Sequence, residues 1–265
     1  MPDAAAIAAE ARRDYAYHDN LPYRLGDRIG HRAKIGLIVL APDWTIEHEV
    51  TALCRLPGVA VFSNRIPMAP EVNLETLRAM GPNVAACADM LMPGFELDVV
   101  AYGCTSGTIA IGKEPLFESI RSVRPGVECT TPIVAGVAGW ERLGIGRIAL
   151  MTPYIEEVNV AMRDFVLGHG IEVPVMGTFN NPLDEDVAAI DGQSLHDGIM
   201  KLGASDEVDG VFVSCTSLHV TPVIARAEEA LGKPVISSNL ALSWHSLRLA
   251  GVGDAVPGYG RLMTV

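Results

Sequence analysis

A chain of 265 residues can form one large domain or two of about 100 to 150 residues, each with its own core. A formal net charge of -12, with Lys and Arg scattered along the chain, excludes the clustered basic surface that nucleic-acid binding requires. Five cysteines without a C-x-x-C pair indicate reduced thiols in a cytoplasmic protein rather than a disulfide framework or structural zinc, and no apolar run reaches membrane-spanning length.

The first 33 residues open on an Ala-rich stretch that reads as a helix, broken by Glu10, Arg12 and Arg13 before an export segment develops. They continue through YHDNLPYRLGDRIGHRA (17–33), which has turn formers and little apolar periodicity. This is expected to be an extension that packs over the core or a neighbouring subunit, and a homo-oligomer is expected. From Ile35 the pattern changes to short apolar runs separated by helix-length amphipathic stretches. The runs are IGLIVL (35–40), VAVFS (59–63), VVAYGC (99–104), PIVAG (132–136), RIALMT (147–152), IEVPVMGTF (171–179), GVFVSC (210–215) and PVISSN (234–239). Continuous apolar strands alternating with helices predict parallel sheets covered on both faces.

The order repeats. KIGLIVL at 34–40 resembles RIALMTP at 147–153, and DVVAYGCTSGT at 98–108 answers DGVFVSCTSLH at 209–219. TPIVAGVAGWERLG then answers KPVISSNLALSWHSLRLAG. The expected fold is α/β, with two pseudo-symmetric domains, each a mostly parallel sheet flanked by helices, and the active site in the cleft between them. The expected division is an extension at 1–33, a first domain at 34–143 with 245–265, and a second at 144–244.

Ligands of parallel sheets bind beyond the carboxyl ends of the strands, where helix N-termini point free N–H groups. Both Cys-Thr-Ser turns fall at that edge, so Cys104 and Cys215 are expected on opposite walls of one cleft. A thiol at a helix start is favoured as thiolate and titrates below its usual value of about 8.5. Thr105, Ser106, Thr216 and Ser217 are expected to cap these helices and offer their amides to a substrate carboxylate. Gly107 predicts open space over Cys104, whereas Leu218 and His219 crowd Cys215. His219, four residues on, could face Cys215 across one helical turn. Cys54, Cys87 and Cys129 lack the repeated context and read as core or surface thiols.

Other motifs carry less. GTIAIGKE (107–114) has phosphate-loop spacing, but Glu114 replaces the required Ser or Thr. Gly136 and Gly139 lack the rest of a dinucleotide fingerprint. The histidines offer no H-x-x-x-H pair, so no metal site is expected.

YGCTSGT, MTPYIEEVN, VSCTSLHV and GKPVISSNLALSWHSLRLAG occur in the order and spacing of a known family. Over 34–260 the chain resembles the aspartate/glutamate racemase superfamily, in the branch of maleate cis-trans isomerases, arylmalonate decarboxylases and a related ectoine-utilisation protein. The resemblance implies a cofactor-independent enzyme with one catalytic cysteine from each domain, Cys104 as nucleophile and Cys215 as acid or base. It implies that Tyr154 contacts a substrate carboxylate and that Asn181 binds one too, with Asn180 an adjacent competitor. Where maleate isomerases carry an asparagine, this chain reads LAPDWTIEHE and places Asp43 beside the substrate, which disfavours maleate unless Asp43 is protonated or pairs with a substrate amine. The expected function is a two-cysteine isomerase or racemase of a small carboxylate, in ectoine catabolism. The alternatives are an arylmalonate-type decarboxylase and a small-molecule sensor that keeps the same cleft.

Overall fold

The computed structural model describes residues 15–16 and 18–265; the Ala-rich start lies outside the described residues. The first half runs β1 (Ala33–Leu40), α1 (Ile46–Leu53), β2 (Val59–Ile66), α2 (Leu74–Arg78), α3 (Val84–Asp89), β3 (Val99–Tyr102), α4 (Thr105–Ile111), α5 (Lys113–Val123), β4 (Glu128–Thr130) and α6 (Pro132–Leu143). The second runs β5 (Arg147–Thr152), α7 (Glu156–Gly168), β6 (Glu172–Thr178), α8 (Asp184–Ala188), α9 (Gly192–Gly203), β7 (Gly210–Val213), α10 (Thr221–Leu231), β8 (Val235–Ser237) and α11 (Ser238–Leu249).

Every strand pair is parallel, and the two sheets share one topology: β2-β1-β3-β4 and β6-β5-β7-β8. The chain is therefore an α/β protein of two pseudo-symmetric halves. All four residues of β3 and of β7 are buried, as expected of central strands covered by helices on both faces.

One expected strand is a helix. PIVAG is the first turn and a half of α6, started by the Thr131 hydroxyl, which accepts from the Val134 N–H, and by Pro132 at the first helical position. The strand itself is the shorter Glu128–Thr130 just before it. A short apolar run reads alike as a buried strand or a buried helix, and α6 is buried because it crosses to the other half. A Cβ on Gly136 would lie 3.2 Å from the Phe212 ring, and Trp140 meets that ring edge-on at 5.1 Å between centroids. The helix after β8, α11, packs in return on α1, α6, β3 and β4. Each half thus sends the helix after its fourth strand onto the other.

The described part of the extension leaves its large apolar side chains uncovered by the core. Leu21, Tyr23, Leu25 and Ile29 are all largely exposed, which leaves contact with a neighbouring subunit as a proposal. Among the described residues, no helix is long and apolar enough to cross a membrane.

Candidate active site

The central strands end together. β1 stops at Leu40 and β3 at Tyr102, so the loops after them place Asp43 and Cys104 side by side; β5 and β7 do the same for Tyr154 and Cys215. In each sheet this is the point where strand order reverses, the position at which open α/β sheets bind ligands.

Cys104 is the N-cap of α4, with extended backbone, and its Sγ accepts from the Gly107 N–H at 3.2 Å with the Ser106 hydroxyl at 3.9 Å. Gly107 does not open the site as its lack of a side chain suggested. A Cβ there would lie 2.8 Å from Cys104 Sγ and 2.9 Å from both Met80 and the Tyr102 hydroxyl, so glycine is what lets the helix close on the thiol. Cys104 is 3% exposed. Burial pushes its thiol up to about 12, with Asp184 and Asp43 adding to the rise and the Gly107 N–H and Ser106 hydroxyl offsetting part of it. The lowered thiol expected of a helix start is thus overturned, because desolvation outweighs the helix terminus.

Cys215 differs from its counterpart. It does not start a helix, since α10 begins at Thr221, and its φ of +140° lies where L side chains rarely sit. Such strain persists where surrounding structure over-determines the backbone: the Cys215 N–H donates to Ser238 Oγ at 3.1 Å, and the Ser217 N–H faces the sulfur. At 7% exposure its thiol is pushed well above the usual range, by burial first and then by Asp184, with Asp43 and Cys104 adding smaller contributions.

Tyr154 joins the two. Its buried phenol has the Ser214 and Ser106 hydroxyls and both thiols around it, and burial raises it well above the usual phenol range. Asp43 lies in the loop after β1, with Oδ1 accepting from the N–H groups of Thr45 at 2.7 Å and Ile46 at 2.9 Å to start α1. Burial raises its carboxyl.

Two of the four hydroxyls expected to cap helices instead tie the halves together. Thr105 Oγ1 shares a 2.8 Å hydrogen bond with Ser238 Oγ, and Thr216 Oγ1 donates to Gly103 O at 3.4 Å. Ser217 Oγ donates to Asp184 Oδ1 at 2.8 Å, while its carbonyl accepts from Thr45 Oγ1 at 2.8 Å. Ser106 alone turns to the thiol and the phenol. Asn181 is not drawn to the thiols: its Oδ1 accepts from the Leu183 N–H at 2.9 Å and its amide donates to Asp186 at 3.2 Å, closing its own loop. His219 does not meet Cys215 across a helical turn, because 215–219 is not helical; its Nδ1 lies 3.0 Å from Glu49 Oε1.

Asp184, Ser214, Ser238 and Glu49 were not anticipated. Asp184, at the start of α8, is 3% exposed, and its carboxyl is raised to about 6, chiefly by burial and further by Asp43. Two thiols, a phenol and two carboxyls, groups able to move protons, thus lie in one buried cluster, with backbone N–H groups turned to both sulfurs. Cys54, Cys87 and Cys129 are buried elsewhere, and burial raises their thiols to about 12, 11 and 11.

The fold and this site define a family. The family model described as arylmalonate decarboxylase matches residues 112–263, more than half of the chain, and the chain belongs to that family. Among individual proteins, it is 36% identical over 139 residues to arylmalonate decarboxylase of Bordetella bronchiseptica, a match spanning 52% of this chain and only 58% of that one. It is 26% identical over 248 residues to maleate isomerase of Alcaligenes faecalis, covering 87% of this chain and 96% of that enzyme. It also superimposes on the Nocardia farcinica maleate cis-trans isomerase C194S mutant, which holds a covalently bound succinylcysteine intermediate. That match has a TM-score of 0.78 and 25% identity, over 88% of this chain and 98% of that one.

Proposed function

We propose that the chain is a cysteine-dependent isomerase or racemase of a small carboxylate that works without a cofactor, with Cys104 and Cys215 as the catalytic pair. The observation that carries this reading is the convergence of thiols from corresponding strand ends of the two halves on one hydroxyl, that of Tyr154. The maleate isomerase relatives support it, since one of them forms a succinylcysteine intermediate.

Two routes fit the pair. In racemisation, one thiolate removes the proton next to the carboxylate and the opposite thiol delivers a proton to the other face, which leaves the pair with exchanged protonation. In cis-trans isomerisation, the Cys104 thiolate adds to one carbon of the double bond while Cys215 protonates the other. Rotation about the resulting single bond then precedes loss of that proton and expulsion of the thiolate. In either route the Gly107 N–H and the Ser106 hydroxyl hold charge on Cys104. The resemblance to the ectoine-utilisation protein makes ectoine catabolism the proposed setting.

A second reading is favoured by the family model and the 36% identity, both from arylmalonate decarboxylase. In it, Cys215 protonates the enediolate left by loss of carbon dioxide.

The test is turnover of candidate carboxylates in heavy water, following configuration, double-bond geometry, deuterium uptake and carbon dioxide. The proposal expects racemisation or cis-trans conversion, abolished in Cys104→Ala and in Cys215→Ala. Carbon dioxide release with Cys104→Ala still active would establish the decarboxylase instead, and binding without turnover would make the protein a sensor.

A further inference from the structure

Two serines stand at the head of α11, and one hydroxyl is enough to start it. Ser237 Oγ accepts from the Leu240 N–H at 3.2 Å and caps the helix, which leaves the Ser238 hydroxyl for other partners. Ser238 is fully buried, and its Oγ stands between the two Cys-Thr-Ser turns. It accepts from the Cys215 N–H at 3.1 Å and shares a 2.8 Å hydrogen bond with Thr105 Oγ1. The next side chain, Asn239, donates to the Thr216 carbonyl at 2.8 Å. Consecutive side chains from the head of one helix thus grip the backbone on either side of the Cys215 thiol.

Cys215 needs such a grip. A φ of +140° is costly for a residue with a Cβ, and no helix follows until Thr221. Without Ser238 Oγ the Cys215 N–H would be buried and unpaired, and its hydrogen bond would no longer oppose relaxation of that φ. Cys104, by contrast, is already fixed as the N-cap of α4. The contacts from the second half land on the residues just before and just after it: Thr216 Oγ1 donates to Gly103 O at 3.4 Å, and Ser238 Oγ meets Thr105. The strained turn is therefore tied to a rigid one.

We propose that Ser238 is a positioning residue for the thiol pair: its hydroxyl sets the backbone of Cys215 and registers it against the Cys104 turn, so that the two sulfurs face one ligand from fixed directions. The proposal rests on Cys104 and Cys215 being the reacting pair. A buried serine that only anchored α11 would leave the thiols as they are, so the test reads the thiols directly.

The test uses the full chain with Ser238→Ala, Thr105→Val and the double variant. Thr105→Val leaves the Cys215 N–H bonded to Ser238 and breaks only the link between the turns. Labelling by iodoacetamide, followed at each cysteine by mass spectrometry, needs no turnover and has Cys54, Cys87 and Cys129 as internal references. In Ser238→Ala, labelling of Cys215 is expected to quicken at least about threefold, the low end of what one lost hydrogen bond does to a local opening equilibrium, while the references keep their rates. Unchanged labelling of Cys215, or equal acceleration at all five thiols, would overturn the proposal. On the carboxylate that the unaltered protein turns over, kcat is expected to fall about tenfold in Ser238→Ala with KM unchanged, the pattern of a lost alignment rather than lost binding. Thr105→Val should lower kcat while Cys215 labels at its normal rate, and the double variant should be no slower than Ser238→Ala, because both changes remove one bridge. Normal kcat in Ser238→Ala, or losses that multiply in the double variant, would also overturn the proposal. Selective acceleration at Cys215 without turnover in any form of the protein would leave the role of Ser238 standing and remove the isomerase.

Discussion

Asp184 shows what burying one carboxyl costs the fold. A carboxyl that titrates at about 6 in the fold instead of 3.8 costs about 3 kcal/mol when ionised, taking 1.36 kcal/mol for each tenfold. Because the folded value is the raised one, this carboxyl costs nothing below pH 3.8, where it is protonated in both states; its cost grows as pH rises toward 6 and is complete above it. Asp184→Asn keeps an oxygen for the Ser217 hydroxyl and removes the charge. It is expected to raise the unfolding free energy by about 2 to 3 kcal/mol at pH 8 and by almost nothing at pH 3.5, read from urea unfolding at the two values. No gain at pH 8 would mean the carboxyl is already neutral or paired. This residue was not legible in the sequence. In FNNPLDED it is one of three acids in the first turn of a short helix, where acids ordinarily face solvent, and only the fold of the opposite loop shows that Ser217 closes over it. Asp43 was legible because it replaced an expected residue at a strand end. The thiols were legible as a pair but not in their ionisation, since local sequence shows the helix terminus and hides the burial.

At the scale of elements, the loop 216–221 is held by a buried glutamate from the other half. Glu49, on α1, accepts from the Thr221 N–H and the Asn239 amide, both at 2.8 Å, and pairs with His219 at 3.0 Å. Asn239 also donates to Thr216 O at 2.8 Å, so α1, α11 and the loop that carries Cys215 form one unit. Glu49→Ala strands the buried Thr221 N–H and Asn239 amide and frees His219, and is expected to destabilise by about 3 kcal/mol, while Glu49→Gln keeps part of the network and loses less. The Glu49 bond raises His219 above its usual 6.5. Its contribution is therefore full below about pH 6.5 and fades as pH rises through the raised value, so the Glu49→Gln penalty should be larger at pH 6 than at pH 9. Urea unfolding of both variants at both pH values checks this; a pH-independent penalty would show that the pair adds nothing. Glu49 was hidden for the reason that PIVAG was misassigned. The sequence around 46–53 reads as an ordinary amphipathic helix with acids on its face, and neither that helix nor α6 reveals alone that its partner lies in the other half.

At the scale of the molecule, the internal repeat was the most informative feature of the chain. Matching strand runs and matching Cys-Thr-Ser turns implied two like halves, and the two sheets do share one strand order. What the repeat concealed is its asymmetry. The first turn starts a helix immediately, while the second runs on for five residues, with Cys215 at positive φ; two similar strings therefore present their sulfurs from different backbones, which suits unlike roles for two thiols in one reaction. The measurement that tests this most directly is a double-mutant cycle in kcat, with Cys104→Ala, Cys215→Ala and the double variant, on whichever carboxylate the unaltered protein turns over in heavy water. Groups that act as one unit are not additive. The account expects each single variant to lose at least about a hundredfold and the double to be no slower than the slower single. Losses that multiply, or near-normal turnover in either single variant, would contradict a shared centre.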